Sequence, residues 1–381
     1  MALSPQWLDE LRARVTLSSV IMRTTKLQKA GREWKACCPF HSEKTPSFTV
    51  SDEKGFYHCF GCGAHGDVIR WMTDQRGLSF MDAVKELAAE AGIPEGVLNI
   101  LPGFGETAGQ AIGRHPDIDV VSFTGSTEVG GLFLRYASES NLKPVGLEMG
   151  GKSPFIVLED APIDDRLVSN AVSAALWNGG QNCSANMRQF VSVKRKDEFL
   201  EKVLARVQAL KVGDPLDPAT EMGSMVTAEH QRRVLGFIET GMREGARVVA
   251  GGGVVEGRKG YFVEPTVFDE VTHGMTIATE EIFGPVLGVI AFSDADEALR
   301  MASDSVYGLH ATVFTRDIDR ALHFARRLPC GTISINRFTE GDIKTPFGGY
   351  KRSGSLARDN GTEAIQQYLQ TKTIWIAGRE N

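Results

Sequence analysis

Residues 37–62 read CCPFHSEKTPSFTVSDEKGFYHCFGC and contain two close pairs of potential metal ligands, Cys38 with His41 and Cys59 with Cys62. The runs 47–50 and 55–60 have the composition of β-strands, and the polar residues 51–54 between them predict a hairpin that brings the two pairs together. Three thiolates and one imidazole predict a closed tetrahedral zinc site without an open position for catalysis. Because so small a unit has little core, bound zinc would supply folding free energy.

Helical patterns flank this hairpin. The first follows Ser4 and Pro5 and has apolar residues at helical spacing, namely Trp7, Leu8, Leu11 and Val15. Two helices are predicted after the hairpin, and the second begins at an N-cap, Ser79, and ends at Gly92. His58, His65 and Cys37 lie close to the ligand pairs, and we interpret them as supporting or surface groups.

From about residue 97, short apolar runs alternate with helical patterns. The runs VLNILPG (97–103), DVVSFTG (119–125) and GKSPFIVL (151–158) are strand-like, and the stretch AGQAIGRH (108–115) is helical. Strand, crossover helix and strand in this order predict a parallel α/β sheet. No linker rich in proline or serine separates the two regions, so a helix is predicted to connect them near residues 84–95.

Composition limits the class of protein. The 381 residues are 42% hydrophobic and 24% charged, which is typical of folded globular domains and of two or three of them at this length. The N-terminal residues lack the apolar segment of a signal peptide, and no run is long enough to span a membrane. We therefore expect a cytoplasmic protein whose six cysteines are reduced and act as ligands, nucleophiles or core residues.

The charge is distributed unevenly. Residues 1–93 contain 12 lysines and arginines against 11 aspartates and glutamates, while the rest of the chain contains 30 against 37. Only the first fifty residues are clearly basic, with 8 against 4. This is a weak indication of nucleic-acid binding, and an ordinary solvated surface explains it as well.

Two residues in the second part have the surroundings of catalytic groups. Cys183 follows a turn rich in glycine, asparagine and glutamine (178–182), and such a cysteine is a candidate nucleophile if its thiolate is stabilised. Glu148 precedes Gly150 and Gly151, and a glutamate at such a position can act as a general base for water. An isolated cysteine is more often a buried core residue, and we interpret Cys330 in that way.

Residues 1 to about 93 resemble the zinc-ribbon domain of bacterial DNA primases. The resemblance extends beyond the ligands into residues 43–47, Gly66 and Asp67, and the helix LSFMDAVKELAAEAGI (78–93). It implies contact with single-stranded DNA, in which aromatic and basic side chains would stack on bases and bind phosphates, here Phe48, Phe56, Tyr57, Lys44 and Lys54. The alternative is that these aromatic rings pack the small core. No primase catalytic domain follows, so the chain is not a complete primase.

Residues 84–378 resemble the aldehyde dehydrogenase superfamily. Six motifs occur in that family's order, namely GFGETAG (103–109), SFTGSTEVGG (122–131), LEMGGKSP (147–154), NGGQNCSA (178–185), EEIFGPV (280–286) and PFGGYKRSG (346–354). Features near the C-terminus are most similar to the enzymes that oxidise aminoaldehydes, such as γ-glutamylaminobutyraldehyde. The sequence 355–358 departs from the family, in which a glycine commonly precedes the arginine.

The resemblance implies the oxidation of an aldehyde to a carboxylic acid with NAD or NADP. Cys183 would attack the aldehyde carbonyl, hydride would pass to the nicotinamide, and Glu148 would activate water. Cofactor contacts are implied for Gly105, Phe123, Gly125, Ser126, Val129, Met149, Glu281 and Phe283. Among these, residues 124–126 and Val129 would face the diphosphate at a helix N-terminus, Glu281 would hold the nicotinamide ribose, and Phe283 would lie beside the ring. Gly105 belongs to a G-x-G-x-x-A pattern (103–108) that fits the adenine end less firmly.

The two resemblances together imply a chimera with an α/β fold. A small zinc ribbon with helices would be followed by a partial Rossmann-like parallel sheet and an aldehyde dehydrogenase catalytic α/β domain. The expected divisions are residues 1–93 (zinc-binding domain), 94–147 (remnant of the cofactor-binding domain), 148–345 (catalytic domain) and 346–381 (C-terminal return to the cofactor and oligomerisation region).

The zinc module stands where that family has the first strands of its cofactor sheet and an asparagine of the oxyanion hole. We therefore expect an impaired dehydrogenase, with zinc-dependent binding of single-stranded DNA or a non-functional chimera as alternatives. Residues 85–99 (KELAAEAGIPEGVLN) fit either parent. A homo-oligomer could form through a final strand at 373–376, although the hairpin that it joins in that family belongs to the replaced part.

Overall fold

The computed structural model describes residues 5–92, 96–355 and 357–377, with side chains from residue 8 onward. The chain divides into two units, Met1–Gly109 and Gln110–Asn381. The expected boundary after residue 93 lies outside the described residues, as does Ser4 at the start of the first helix. The boundaries after residues 147 and 345 stay predictions.

The first unit is built around an antiparallel sheet with the strand order β1-β2-β3-β4-β5. Its strands are β1 (Gln28–Ala30), β2 (Glu33–Ala36), β3 (Phe48–Ser51), β4 (Phe56–Cys59) and β5 (His65–Gly66). The predicted hairpin is confirmed, because β3 and β4 pair with Phe48 opposite Cys59 and Val50 opposite Tyr57. Strands β1 and β2 were not predicted, since their sequences QKA and EWKA lack a strongly apolar pattern.

Helices cover the core of this sheet. They are α1 (Pro5–Arg14), α2 (Leu17–Ile21), α3 (Val68–Asp74) and α4 (Phe80–Glu90). The predicted N-cap of α4 is confirmed, because the Ser79 hydroxyl accepts the N–H of Asp82, and Gly92 has a φ of 79° after the helix ends. Phe48, Tyr57 and Trp71 are at most 1% exposed and form the centre of the core.

The predicted strand at 97–103 is wrong. Residues 96–104 have no strand or helix, and Leu98 and Ile100 instead pack against the core of the first unit. A strand needs a neighbouring strand as hydrogen-bond partner for its backbone N–H and C=O groups. The segment 96–109 contains no strand that could serve as this partner. The glycine-rich pattern 103–108 therefore does not follow a strand, and residues Gly105–Gly109 form a single π-helical turn.

The second unit begins with a two-stranded parallel sheet. It contains α5 (Gln110–Arg114), β6 (Val121–Gly125), α6 (Thr127–Ser138) and β7 (Val145–Met149). Strands β6 and β7 pair from Val121 opposite Val145 to Gly125 opposite Met149. Residues 353–355 cover the far edge of β7, where the N–H of Met149 donates to the carbonyl of Ser353 at 2.8 Å. No strand of the described chain pairs with the outer edge of β6.

A seven-stranded sheet forms the body of the second unit, in the order β10-β11-β12-β9-β8-β14-β15. Only β10 runs antiparallel to its neighbour. Its strands are β8 (Pro154–Val157), β9 (Arg188–Ser192), β10 (Arg247–Ala250), β11 (Thr266–Asp269), β12 (Val286–Phe292), β14 (His310–Phe314) and β15 (Thr332–Ile335). Two further strands, β13 (Tyr307–Gly308) and β16 (Tyr350–Lys351), form a separate antiparallel pair.

Helices pack on both faces of this sheet over two buried hydrophobic clusters. They are α7 (Asp165–Leu176), α8 (Lys196–Gln208), α9 (Ala228–Arg243), α10 (Thr276–Thr279), α11 (Ala295–Ser303) and α12 (Ile318–Arg327). The short helix α13 (Glu363–Gln366) follows near the C-terminus and has no buried residue. The central strands β8 and β9 are buried along their whole length, which is typical of a parallel sheet covered on both faces. The α/β fold predicted for this part is confirmed.

No helix of the described residues is both long enough and apolar enough to cross a bilayer.

Candidate metal centre and candidate active site

The four predicted metal ligands meet at the base of the hairpin. The ligand atoms of Cys38, His41, Cys59 and Cys62 all lie within 4.8 Å of one another. The Sγ atoms of Cys38 and Cys62 are 3.8 Å apart, and Cys59 Sγ is 3.8 Å from Nδ1 of His41. Tetrahedral zinc with Zn–S bonds of about 2.3 Å places neighbouring sulfurs about 3.8 Å apart, so the residues fit a closed structural site.

Hydrogen bonds hold this ligand cluster in place. Cys59 Sγ accepts the N–H groups of Gly61 (3.3 Å) and Cys62 (3.4 Å), which fold the second ligand pair into a tight turn. The Glu43 carboxylate accepts the N–H of Cys38 at 2.7 Å and lies 3.2 Å from Nε2 of His41. A carboxylate behind a ligating imidazole fixes its orientation, so Glu43 supports both members of the first pair. This role of Glu43 was not predicted from the sequence.

The residues suggested for DNA contact divide between surface and core. Lys44, Lys54 and Phe56 are exposed, the last by 40% of its surface. Tyr57 is only 1% exposed and stacks on Phe40 at a centroid distance of 5.9 Å, so its ring is not available to a nucleic-acid base. Tyr57 is corrected to a core residue, as is Phe48.

No role was predicted for Phe60, which is a further surface aromatic residue on this face. Phe60 is 75% exposed and lies 4.5 Å from the ring of His58, which in turn lies 6.2 Å from the ring of His65. The alternation of side chains along a strand could have identified them, because Phe56, His58 and Phe60 point away from the face that contains Tyr57 and Cys59. We call the set Phe56, His58, Phe60 and His65 the aromatic face of the first unit.

Cys183 follows a left-handed turn. Asn178, Gly179 and Gly180 have φ values of 54°, 64° and 69°, a backbone conformation that favours glycine and asparagine. A Cβ atom at Gly180 would lie 2.2 Å from the carbonyl oxygen of Gly284, so the turn packs directly on that backbone. The main chain at Cys183 packs against the turn after β7, because a Cβ atom added at Gly151 would lie 2.5 Å from the Cys183 carbonyl oxygen.

Glu148 lies on β7 with its carboxyl group buried. Neither carboxylate oxygen has a hydrogen-bond partner among the described residues. One of them lies against Gly348, where an added Cβ would be 2.6 Å away. The pKa of Glu148 is raised to about 8, first by burial and second by the charge of Asp359, while Arg358 opposes this shift. The group can therefore exchange a proton near neutral pH.

The thiol of Cys183 lies in a negative electrostatic field. Burial is the largest cause that raises its pKa to about 12, followed by the carboxylates of Glu340, Glu281 and Glu148. These carboxylates come from three different segments, so the second unit brings the candidate nucleophile and the candidate base into one region. In this arrangement the thiol depends on a nearby base to lose its proton.

The cofactor residues expected near the diphosphate lie at the N-terminus of α6. Gly125, Ser126 and Val129 are exposed, and the Ser126 hydroxyl caps the helix by accepting the N–H of Val129 at 3.3 Å. Phe123 packs on Phe133 at a centroid distance of 4.7 Å. Met149 is buried, and its side chain packs against Gly130 of α6. The exposed first turn of a twelve-residue helix suits an anion.

The residues expected near the nicotinamide lie on the loop after α10. The Glu281 carboxylate accepts the N–H of Gly151 at 3.1 Å, which links this loop to the turn that contacts Cys183. Phe283 has a φ of 56°, and its carbonyl accepts a hydrogen bond from Nε2 of His230 at 2.6 Å. Gly105 belongs to the first unit, so the structure of the second unit does not include it.

Several polar residues near this site were missed. Lys152 is 2% exposed without a hydrogen-bond partner for Nζ among the described residues, and burial followed by the charge of Arg188 lowers its pKa to about 7. Glu340 accepts hydrogen bonds from both neighbours of Cys183, namely Asn182 and Ser184. Lys152 lies within the motif 147–154 and could have been considered from its position, but nothing local relates residue 340 to residue 183.

Two protein families match the chain. The aldehyde dehydrogenase family model matches residues 71–374. The chain belongs to the aldehyde dehydrogenase family. Residues 3–98 match the CHC2 zinc finger, so both resemblances are confirmed. The two matches overlap at 71–98, a range that includes most of the stretch that fits either parent.

Among the relatives, the aminoacetaldehyde dehydrogenase of Pseudomonas aeruginosa is 46% identical over 293 residues, which are 77% of this chain and 58% of the relative. The human mitochondrial aldehyde dehydrogenase is 47% identical over 77% of this chain and 56% of its own length. This chain thus spans less than three-fifths of these relatives.

Two solved structures illustrate the similarity in fold. The indole-3-acetaldehyde dehydrogenase of P. syringae, in complex with NAD⁺, has a TM-score of 0.75 at 46% identity, and the match covers 77% of this chain and 59% of that one. The γ-glutamyl-γ-aminobutyraldehyde dehydrogenase of Burkholderia cenocepacia has a TM-score of 0.72 at 48% identity over 74% of this chain and 57% of that one.

Proposed function

We propose that the second unit oxidises an aldehyde to a carboxylic acid with NAD or NADP. The observation that carries this proposal is that Glu148 and Cys183 lie in one region of the second unit. Glu148 is a buried carboxyl with a pKa of about 8, and its charge, like that of Glu281, raises the pKa of the Cys183 thiol. A base with a pKa near the working pH is well matched to accept a proton from a thiol or from water. Membership of the aldehyde dehydrogenase family supports the assignment.

The reaction divides between these two side chains. Cys183 Sγ, once deprotonated, bonds to the aldehyde carbon, and its proton passes to a base in the site. The resulting thiohemiacetal alkoxide would become a thioester by giving up hydride from that carbon to a bound nicotinamide. Glu148 removes a proton from water, the resulting hydroxide attacks the thioester carbon, and the C–S bond breaks to release the acid and the Cys183 thiolate.

The cofactor supplies the hydride acceptor when it is bound. Ser126 and Val129, at the first turn of α6, would lie against its diphosphate. Glu281 would accept hydrogen bonds from ribose hydroxyls, and Phe283 would exclude water beside the nicotinamide. Phe123, Gly125 and Met149 would be further contacts of the cofactor.

A steady-state assay with zinc-loaded full chain tests the proposal. With a small aldehyde and NAD⁺ or NADP⁺, we expect slow formation of reduced cofactor, measured by its absorbance, that Cys183→Ala abolishes. Cys330→Ala is the matched control, because Cys330 is also a buried thiol and has no role in the mechanism. No turnover above a reaction without enzyme would overturn the proposal.

The first unit favours a second function, zinc-dependent binding of single-stranded DNA. The supporting observation is the aromatic face, whose Phe56 and Phe60 are exposed, together with the exposed basic residue Lys54 in the turn before Phe56. We expect one zinc per chain and salt-sensitive binding of an oligonucleotide, both lost in Cys59→Ser. Chain purified without bound zinc would overturn this function. Failure of both assays would leave the non-functional chimera.

A further inference from the structure

Glu340 lies beside Cys183 without belonging to the reaction described above. The amide Nδ2 of Asn182 donates to Glu340 Oε1 at 2.8 Å, and the Ser184 hydroxyl donates to the same oxygen. The two donors are the residues immediately before and after Cys183. The carboxylate is therefore tied to both sides of the candidate nucleophile while its residue stays exposed to solvent.

A buried polar network fixes the loop that carries Glu340. The carbonyl of Thr339 accepts hydrogen bonds from the Ser334 hydroxyl at 2.6 Å and from Nε2 of His310 at 3.0 Å. Nδ1 of His310 accepts from Nδ2 of Asn186 at 3.2 Å, and His310 and Asn186 are both fully buried. Because Asn186 belongs to the segment after Cys183, one rigid network positions the carboxylate and the nucleophile together.

The charge of Glu340 is not neutralised by an ion pair. Within 96–355 and 357–377, no lysine, arginine or histidine lies within 4.0 Å of its carboxylate, although Arg337 and Lys344 are exposed on the same loop. The two hydrogen bonds at Oε1 leave Oε2 available to a further donor. The other charged groups that act on the Cys183 thiol are also carboxylates, Glu281 and Glu148.

We propose that Glu340 is a specificity-determining residue, which favours aldehydes that carry a cationic group, such as a protonated amine, over neutral and anionic aldehydes. An ammonium group near the aldehyde would form an ion pair with Oε2 of Glu340 as the carbonyl carbon approaches Cys183. An anionic substrate would instead be repelled by the negative charge of Glu340. The proposal rests on the proposed oxidation of aldehydes, but the electrostatic preference is a property of the site that can be measured without turnover.

Thiol labelling with methanethiosulfonates of different charge measures this preference directly. The zinc-loaded full chain is treated with the cationic 2-aminoethyl, the anionic 2-sulfonatoethyl and the neutral methyl reagent, and peptide mass spectrometry gives the rate at Cys183 alone. We expect the ratio of cationic to anionic rates to fall about three- to tenfold in Glu340→Gln at low salt, and less at high salt. Glu201→Gln, an exposed glutamate on α8, is the matched control and should keep the wild-type ratio.

The neutral reagent separates the electrostatic role from a structural one. If Glu340 only held the turn around Cys183, Glu340→Gln would change all three rates by the same factor and leave their ratio unchanged. That result, or an unchanged ratio with unchanged rates, would overturn the proposal. Glu340→Asp keeps the charge and should retain most of the wild-type ratio.

Turnover supplies an independent measurement. The ratio of kcat/KM for 3-aminopropanal to that for propanal should fall in Glu340→Gln by the same factor as the labelling ratio, through KM more than kcat. A turnover ratio that Glu340→Gln leaves unchanged would overturn the specificity. If no aldehyde is oxidised by the wild-type chain, the proposed function fails, while the labelling ratio still decides whether Glu340 directs cations to Cys183.

Discussion

Glu148 combines burial with the absence of any hydrogen-bond partner for its carboxylate in the described structure. Desolvation then decides its protonation, because an ionised carboxylate without donors is unfavourable in a low-dielectric site. The folded chain consequently retains the proton well above the pH at which an exposed glutamate loses it. The same property that suits Glu148 to act as a base therefore reduces stability at alkaline pH.

This gives a prediction for the pH dependence of stability. The pKa of Glu148 is raised from 4.5 to about 8, so its stabilising contribution is complete below about pH 4.5 and is lost as the pH rises through about 8. In Glu148→Gln that loss is absent, and we expect the variant to melt at least about 2 °C higher than wild type at pH 9 but equally at pH 4. Calorimetry of wild type, Glu148→Gln and the exposed control Glu201→Gln measures the difference. An identical pH dependence in the first two proteins would contradict the prediction.

A second prediction at this scale concerns two aromatic residues of the first unit. Tyr57 is 1% exposed and Phe60 is 75% exposed, although they lie only three positions apart. Tyr57→Ala should cost about 3–5 kcal/mol in the free energy of unfolding. Phe60→Ala should change it by no more than about 0.5 kcal/mol but weaken oligonucleotide binding. Urea denaturation and fluorescence anisotropy measure the two quantities, and equal effects of both variants on stability would count against this division of roles.

At the scale of elements, local chemistry predicted some features and missed others. The β3–β4 hairpin and the N-cap Ser79 were predicted because turn residues and capping groups act over a few positions. The strand at 97–103 was wrong because a strand depends on a distant partner. Glu340 was missed for the same reason, since its contact with Asn182 spans 158 residues.

The turn before Cys183 allows a test with two glycines. Gly180 has a φ of 69° and packs on the carbonyl of Gly284, whereas Gly236 is an interior residue of α9 with open space around its Cα. Gly180→Ala should lower the free energy of unfolding of the second unit by more than about 1 kcal/mol and slow the labelling of Cys183. Gly236→Ala should raise it by about 0.5–1 kcal/mol. Urea titrations that gave both variants the same sign would contradict the assigned backbone strain.

At the scale of the whole molecule, each unit has a hydrophobic core of its own. The sequence predicted this division into two families because each contributes several motifs in a fixed order. The position of the division was harder to predict from the sequence, because residues 85–99 fit either family. In the structure the first unit extends to Gly109. Helical propensity across such a junction contains no information on which core the helix joins.

Zinc removal should therefore act on one unit only. With a zinc chelator, we expect the first unit to lose its folded signal while the melting transition of the second unit keeps its temperature within about 2 °C. Cys59→Ser should reproduce this effect, and Cys37→Ser, which alters an exposed cysteine outside the cluster, should not. Calorimetry with and without chelator is the measurement. A parallel fall of both transitions would show that the units unfold as one.

The open edge of β6 has a consequence for how long the protein survives. Among the strands of the described residues, β6 pairs only with β7, whereas β9 lies between β8 and β12 inside the seven-stranded sheet. Amide protons along β6 should therefore exchange with deuterated solvent through local opening, long before those of β9. Such an opening separates two strands without disturbing the larger core. Proteases and chaperones would then bind this segment in an otherwise folded molecule. The rate of its local opening would therefore determine the lifetime of the chain in a cell.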